Sequence, residues 1–343
     1  MIKSRFCQMF FYNPRFFAAI LTLTLFLAGA TTQPFAEPAE LVFPAYWEKP
    51  GYDFSKNPLT REGIELGRQL FYDPVLSRDS TVSCASCHLS FTAFTHVDHA
   101  LSHGIEDRIG RRNSPALMNL AWAKSFMWDG AVHHLDFQAL APISDSTEMD
   151  NSIQQVVENL SASPKYAALF EAAFGKGNIT GERVLKALAQ FELTLISANS
   201  KYDRVISGKE NFTVQEQNGY RIFQMNCARC HVEPFFTHFN FEKNGLPLDT
   251  FLNDVGRMRI TQHAGDSLKF KVPTLRNIEF SAPYMHDGRF RKLREVLNFY
   301  GNSAAFQGQI TLSSDEKTDL TAFLLTLTDK EFLFNPEFSF PKN

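Results

Sequence analysis

Four of the five cysteines in this chain sit in one repeated pattern, Cys84-Ala-Ser-Cys87-His88 and Cys227-Ala-Arg-Cys230-His231. The fifth, Cys7, lies near the start of the chain. Two thiols at this spacing reach the two vinyl groups of one haem, and the adjacent histidine turns under the ring to ligate iron. Alternatives for such thiols are a disulfide within each pair or a shared zinc ion. Zinc-binding C-x-x-C pairs, however, usually lie ~15–20 residues apart, far closer than these two. The histidine that follows both pairs points instead to two covalently bound c-type haems. A chain so constrained has to wrap two flat, apolar discs, and its 34 phenylalanines suit that packing.

The N-terminus reads as an address. Lys3, Arg5 and Arg15 precede a single apolar run, Phe16 to Ala30, that ends in Ala28-Gly29-Ala30. A basic start, a short apolar stretch and small residues at a cleavage point make residues 1–30 a secretory signal peptide. As an uncleaved anchor the run is short for a bilayer span of ~20 residues. The composition, 44% hydrophobic and 21% charged, excludes a disordered chain. A net charge of −3 offers no basic surface for nucleic acid.

The chain also repeats itself. Ser114-Pro-Ala-Leu-Met-Asn-Leu-Ala-Trp-Ala-Lys-Ser-Phe-Met-Trp-Asp-Gly130 aligns without gaps on Val272-Pro-Thr-Leu-Arg-Asn-Ile-Glu-Phe-Ser-Ala-Pro-Tyr-Met-His-Asp-Gly288. Upstream of each haem motif, Gly67-Arg-Gln-Leu-Phe71 echoes Gly219-Tyr-Arg-Ile-Phe223. Self-similarity of this kind implies two related units, so the expected fold is mostly α, with two tandem cytochrome c-like domains. Their expected bounds are 31–198 for the first and 199–343 for the second, with a linker near Asn199 to Asn211. Val184, Leu188, Phe191 and Leu195 recur at helical spacing, as do Leu320, Phe323, Leu324 and Leu327. Ser313 with Glu316 has the form of a capping box for the second of these helices.

In order and spacing, these landmarks resemble the bacterial di-haem cytochrome c peroxidase and MauG superfamily. The shared segments are the two C-x-x-C-H motifs, Arg112-Asn-Ser-Pro-Ala-Leu-Met-Asn119, Met127-Trp-Asp-Gly130, Ala141-Pro-Ile143 with Glu148-Met149, Lys271-Val-Pro-Thr-Leu-Arg-Asn277 and Ala282-Pro-Tyr-Met-His-Asp-Gly288. The resemblance implies a periplasmic oxidoreductase whose N-terminal haem, on His88, binds hydrogen peroxide. It implies that Gln138 and Glu148, ten and twenty positions after Trp128, serve that haem, with Glu148 moving the proton that O–O cleavage requires. It places Trp128 between the haems as an electron bridge. It further implies one Ca²⁺ between the domains, held by Asn113 and by backbone oxygens of Ser281 and Pro283, a ligand chemistry that suits this hard cation.

Fourteen positions after His286, where peroxidases fed by cytochrome c have a methionine ligand to the C-terminal haem, this chain has Tyr300. MauG and its nearer relatives also have tyrosine there. A thioether raises the haem potential, and a hard phenolate should lower it. Two departures stand beside this match. MauG has a tryptophan two residues before its second haem motif, where this chain has Met225, and His103 lies near, but two residues off, the place of a histidine that caps the resting N-terminal iron.

The implied activity is reduction of hydrogen peroxide to water, with electrons from a small c-type cytochrome or copper protein. A MauG-like oxidation of a side chain such as Trp on a partner protein is the enzymatic alternative. A di-haem electron carrier without peroxide chemistry is another, disfavoured because a closed carrier needs no acid such as Glu148. The family admits a homodimer, although no residue pattern specifies one.

Overall fold

Two helix crossings, one in each half of the chain, organise the molecule. In the computed structural model, which describes residues 36–302 and 310–341, α1 (Arg61–Tyr72) starts at Thr60, whose side chain accepts a hydrogen bond from the Gly63 N–H. The expected signal peptide lies outside the described residues. A short helix, α2 (Cys84–Cys87), carries the first pair of thiols, and α3 (Gly181–Thr194) packs across α1. The expected stripe holds: Val184, Leu188 and Phe191 are buried on α3, with Leu195 just past its end. Contact is close because Gly67 has no side chain. A Cβ there would collide with the Ala187 carbonyl and crowd Phe191.

The second half repeats the device. Helix α4 (Val214–Asn226) leads into Cys227, and α6 (Ser314–Leu325) crosses it. Here Gly219 meets the Asp319 carbonyl and Phe323, as Gly67 meets Ala187 and Phe191. The capping box at Ser313 and Glu316 is present, with the Glu316 N–H donating to Ser313 Oγ at 3.2 Å and the Ser313 N–H to Glu316 Oε2 at 2.8 Å. Between these helices lie two three-residue antiparallel strands, β1 (Phe241–Lys243) and β2 (Lys269–Lys271), the only sheet among the described residues. Helix α5 (Leu293–Asn302) follows them in sequence. None of the described helices is long and apolar enough to cross a membrane.

Local backbone repeats too. Asn119 and Asn277 both take positive φ (55° and 58°), as do Met127 and Met285 (67° and 75°) and the glycines Gly130 and Gly288. Both asparagines are buried and hydrogen-bonded across the chain. Asn119 bridges Ser197, while Asn277 accepts the Asp329 N–H at 2.7 Å and donates to Ser197 Oγ at 3.0 Å. Two apolar cores result: one around Leu66, Leu70, Phe71 and Phe191, the other around Phe223, Phe236, Phe323 and Leu327.

The stretch expected as a linker carries ordered structure of its own. Residues Lys201–Ile206 form a helix with a capping box at Ser200, and Tyr202 and Asp203 are buried. The cause is Arg276, fully buried, whose two Nη atoms each donate to Asp203 at 2.8 Å while Nε donates to the Pro234 carbonyl at 2.9 Å. Burial alone would raise the Asp203 carboxyl, but the hydrogen bonds and charge of Arg276 bring it below its ordinary range. Its stabilising contribution is therefore present at neutral pH and is lost as pH falls through the lowered value. Removing one partner of such a pair strands the other. Arg276→Met is expected to cost about 3–5 kcal/mol in urea unfolding, and a loss below ~1 kcal/mol would show that the pair does not hold this segment.

Candidate functional sites

Each C-x-x-C-H opens onto its own cavity. At the first, His88 follows α2, and its Nδ1 lies 2.7 Å from the Phe94 carbonyl. At the second, His231 Nδ1 lies 3.1 Å from the Phe236 carbonyl. Phe94 and Phe236 both adopt positive φ (57° and 53°), which belongs to the same tight return of the chain in each half. A backbone acceptor on Nδ1 places the ring proton there and leaves Nε2 as the free lone pair, the form in which imidazole ligates a metal. Burial pushes both rings down to about 4, so they are neutral at pH 7.

None of the four cysteines pairs with another. Because the two pairs line separate cavities, they cannot share one zinc ion. Burial drives the thiols upward, Cys87 to about 11 and Cys227 to about 12, so both are S–H groups at neutral pH. Neutral imidazoles with a free Nε2, beside protonated unpaired thiols, form a donor set that fits haem.

The first cavity brings together His88, His103, Gln138 and Glu148. Glu148 is fixed through its main chain. Its carbonyl accepts the Ile105 N–H at 2.8 Å, and Gly104 packs so close that a Cβ would strike the Glu148 backbone. That turn therefore positions His103 and Glu148 jointly. Burial, reinforced by the charge of Asp145, raises the Glu148 carboxyl to about 7. Gln138, at the end of the turn Leu135–Phe137, directs Nε2 to Met127 Sδ at 3.7 Å. His103 also ends a row of rings: its centroid is 4.0 Å from that of His99, which is 5.0 Å from that of His96.

Sequence reasoning missed Glu192 in this cavity. It is 3% exposed, and burial raises it to about 8. The signal was available: a glutamate four residues after Leu188 falls on the apolar stripe of α3.

The second, larger cavity is lined by Cys227, Cys230, His231, Tyr300 and Trp128, and also by Asn113, Ser281 and Pro283. Tyr300 comes from α5. Burial, with Cys227 and Cys230 close by, holds its phenol well above the ordinary tyrosine value. Trp128 is 8% exposed, and its Nε1 donates to the Asn113 carbonyl at 2.8 Å. The Asn113 N–H in turn donates to the His286 carbonyl at 2.7 Å. One asparagine thus clasps Trp128 and its counterpart in the repeat. His286 is stacked on Phe270 with ring centroids 3.7 Å apart.

Next to Trp128, the fully buried Asp129 pairs with Arg112 at 2.8 Å and Arg259 at 2.9 Å, and Arg112 also holds Asp254. Met127 and Trp128 therefore join the two sites: the sulfur of one contacts Gln138 of the first cavity, and the indole of the other walls the second. Met225 is 75% exposed just before the second motif.

Residues 61–211 match the model of the di-haem cytochrome c peroxidase family. The chain is 37% identical over 285 residues to the methylamine utilization protein MauG of Methylorubrum extorquens, covering 79% of each chain. It is 35% identical over 290 residues to cytochrome c551 peroxidase of Nitrosomonas europaea, covering 83% of this chain and 84% of that one. A crystal structure of a MauG-like protein associated with microbial copper homeostasis superposes with a TM-score of 0.81 at 32% identity, over 88% of this chain and 99% of the other. The chain belongs to the di-haem cytochrome c peroxidase family. It is accordingly an oxidoreductase whose cofactors are haems and whose reaction involves peroxide and a redox partner or substrate protein.

Proposed function

We propose that this protein is an exported, periplasmic di-haem c-type peroxidase that reduces hydrogen peroxide to water at the His88 site. Cys84 and Cys87 would carry one haem by thioether bonds and Cys227 and Cys230 the other, with His88, His231 and Tyr300 as iron ligands. When bound, the first haem supplies the iron on which peroxide is activated, and the second supplies a store for oxidising equivalents. The observation that carries this reading is the placement of Glu148 and Gln138 in the His88 cavity, with a carboxyl whose affinity for protons matches neutral pH.

Glu148 takes the proton from one peroxide oxygen and returns it to the other, which leaves as water. A carboxyl at about 7 serves both halves of that transfer. Gln138 orients the peroxide by hydrogen bonding. Trp128, clamped by Asn113 and flanked by the buried Asp129 ion pairs, has the fixed position that an electron bridge needs. Tyr300 would hold the second iron as a phenolate: burial opposes its ionisation, and a bound ferric ion would supply the opposite charge that favours it. Asn113, Ser281 and Pro283 offer oxygens for Ca²⁺ at the wall of the second cavity.

The base form of Glu148 is populated as pH rises through about 7. Peroxide consumption by haem-loaded protein with a reduced donor should therefore rise through that pH and flatten above it. A rate independent of pH between 5.5 and 8.5 would remove Glu148 as the proton carrier.

A second reading is favoured by Tyr300 itself. A low-potential C-terminal haem suits oxidation of a side chain, such as Trp, on a partner protein, with the electrons then coming from that partner. The exposed Met225 stands where the tryptophan exit of MauG would be, so such a partner would deliver its electrons by another route. A closed electron carrier has no use for a buried acid beside an open cavity.

A further inference from the structure

Among the described residues, Lys271 is a cation without an anion. It ends β2 and lines the same cavity as His231 and Tyr300. An ammonium has three donors, and among the described residues Nζ has one protein acceptor, the Ser125 carbonyl at 3.2 Å, with the Phe126 ring 5.9 Å away. Among the described residues no carboxylate pairs with it, and burial alone pulls it down to about 8. Its neighbours differ in this respect. Arg112 is held by the carboxylates of Asp129 and Asp254, and Arg259 by that of Asp129. A lysine facing a cavity in this condition calls for an anionic group on whatever fills the cavity.

We propose that Lys271 is the cation that pairs with a propionate of the C-terminal haem and thereby sets the potential of that haem. The inference rests on the haem reading above. Its position agrees with this pairing. Lys271 enters the cavity from β2, an element separate from the segment that carries Cys227 and Cys230, where the vinyl groups attach. Propionates occupy the porphyrin edge remote from those attachment points. The Lys271 N–H also donates to the Trp128 carbonyl at 2.7 Å, so the same residue fixes the charge and the backbone of the indole between the sites.

The test uses haem-loaded wild-type protein, Lys271→Met and Lys271→Arg, with haem content measured on the Cys227–Cys230 peptide and a redox titration of the C-terminal haem. A positive charge beside a haem favours its reduced form. Lys271→Met should therefore shift the equilibrium about tenfold toward the oxidised form, or about 59 mV for a one-electron couple. Lys271→Arg should stay within about twofold of wild type. Loss of the C-terminal haem in Lys271→Met alone supports the pairing equally, because Lys271→Arg keeps the charge and the donors that Lys271→Met removes.

The proposal is overturned if Lys271→Met keeps both haems at an unchanged potential, if both variants shift alike, or if both lose the haem. A wild-type chain with no haem on Cys227 and Cys230 overturns the haem reading itself, and the peptide measurement identifies that case separately.

Discussion

Glu148→Gln retains both haems and slows peroxide cleavage by about 10²–10⁴-fold, the usual contribution of a positioned proton carrier. The amide keeps the volume of the side chain and can still donate a hydrogen bond, but it cannot take a proton from peroxide. The Glu148 main chain, tied to the Ile105 N–H and packed on Gly104, is unaffected by the exchange, so the cavity keeps its shape. The rising limb of the pH profile near 7 should vanish together with the rate. Stopped-flow mixing with peroxide checks both effects in one series. Full activity in the variant would transfer the role elsewhere, and Glu192, the other buried carboxyl of this cavity, would be the residue to replace next.

Replacing Tyr300 changes the other site just as strongly. Axial ligands set haem potentials over a range of roughly 0.8 V, and exchanging a hard phenolate for a soft thioether moves the couple toward the high end. Tyr300→Met should therefore raise the potential of the C-terminal haem by a large part of that range. It should also make peroxide turnover depend on prior one-electron reduction. Tyr300→Phe should leave the second iron without its sixth protein ligand and change its low-spin spectrum. Spectroelectrochemical titration of the two variants separates these outcomes. A wild-type spectrum and potential in Tyr300→Phe would mean that the tyrosine only packs against the cavity.

Much of this architecture is written in short-range pattern. The apolar stripe of α3, the capping box of α6 and the two C-x-x-C-H motifs are local features, and each appears in the structure where periodicity or spacing puts it. The alignment of residues 114–130 on 272–288 likewise anticipates the paired backbone at Asn119 and Asn277 and at Met127 and Met285. What pattern does not carry is pairing at a distance. The segment at 199–211 reads as a linker because it follows the long helix of the first half, yet Asp203 in it is buried by Arg276, a partner far along the chain.

Glu192 was legible as a position on a helix face but not as a wall of the His88 cavity, since that depends on how α3 lies over α1 and α2. The hold of Asn113 on both Trp128 and His286 uses its main-chain N–H and C=O, which no side-chain pattern encodes.

The most direct measurement is an optical and EPR titration of the oxidised, haem-loaded protein with hydrogen peroxide, with no reductant present. An open His88 site beside Glu148 predicts a high-spin ferric signal that is lost within about one equivalent of peroxide. Resting protein that ignores peroxide, with both irons low-spin before and after its addition, would contradict that account and point to a capped site that opens only on reduction.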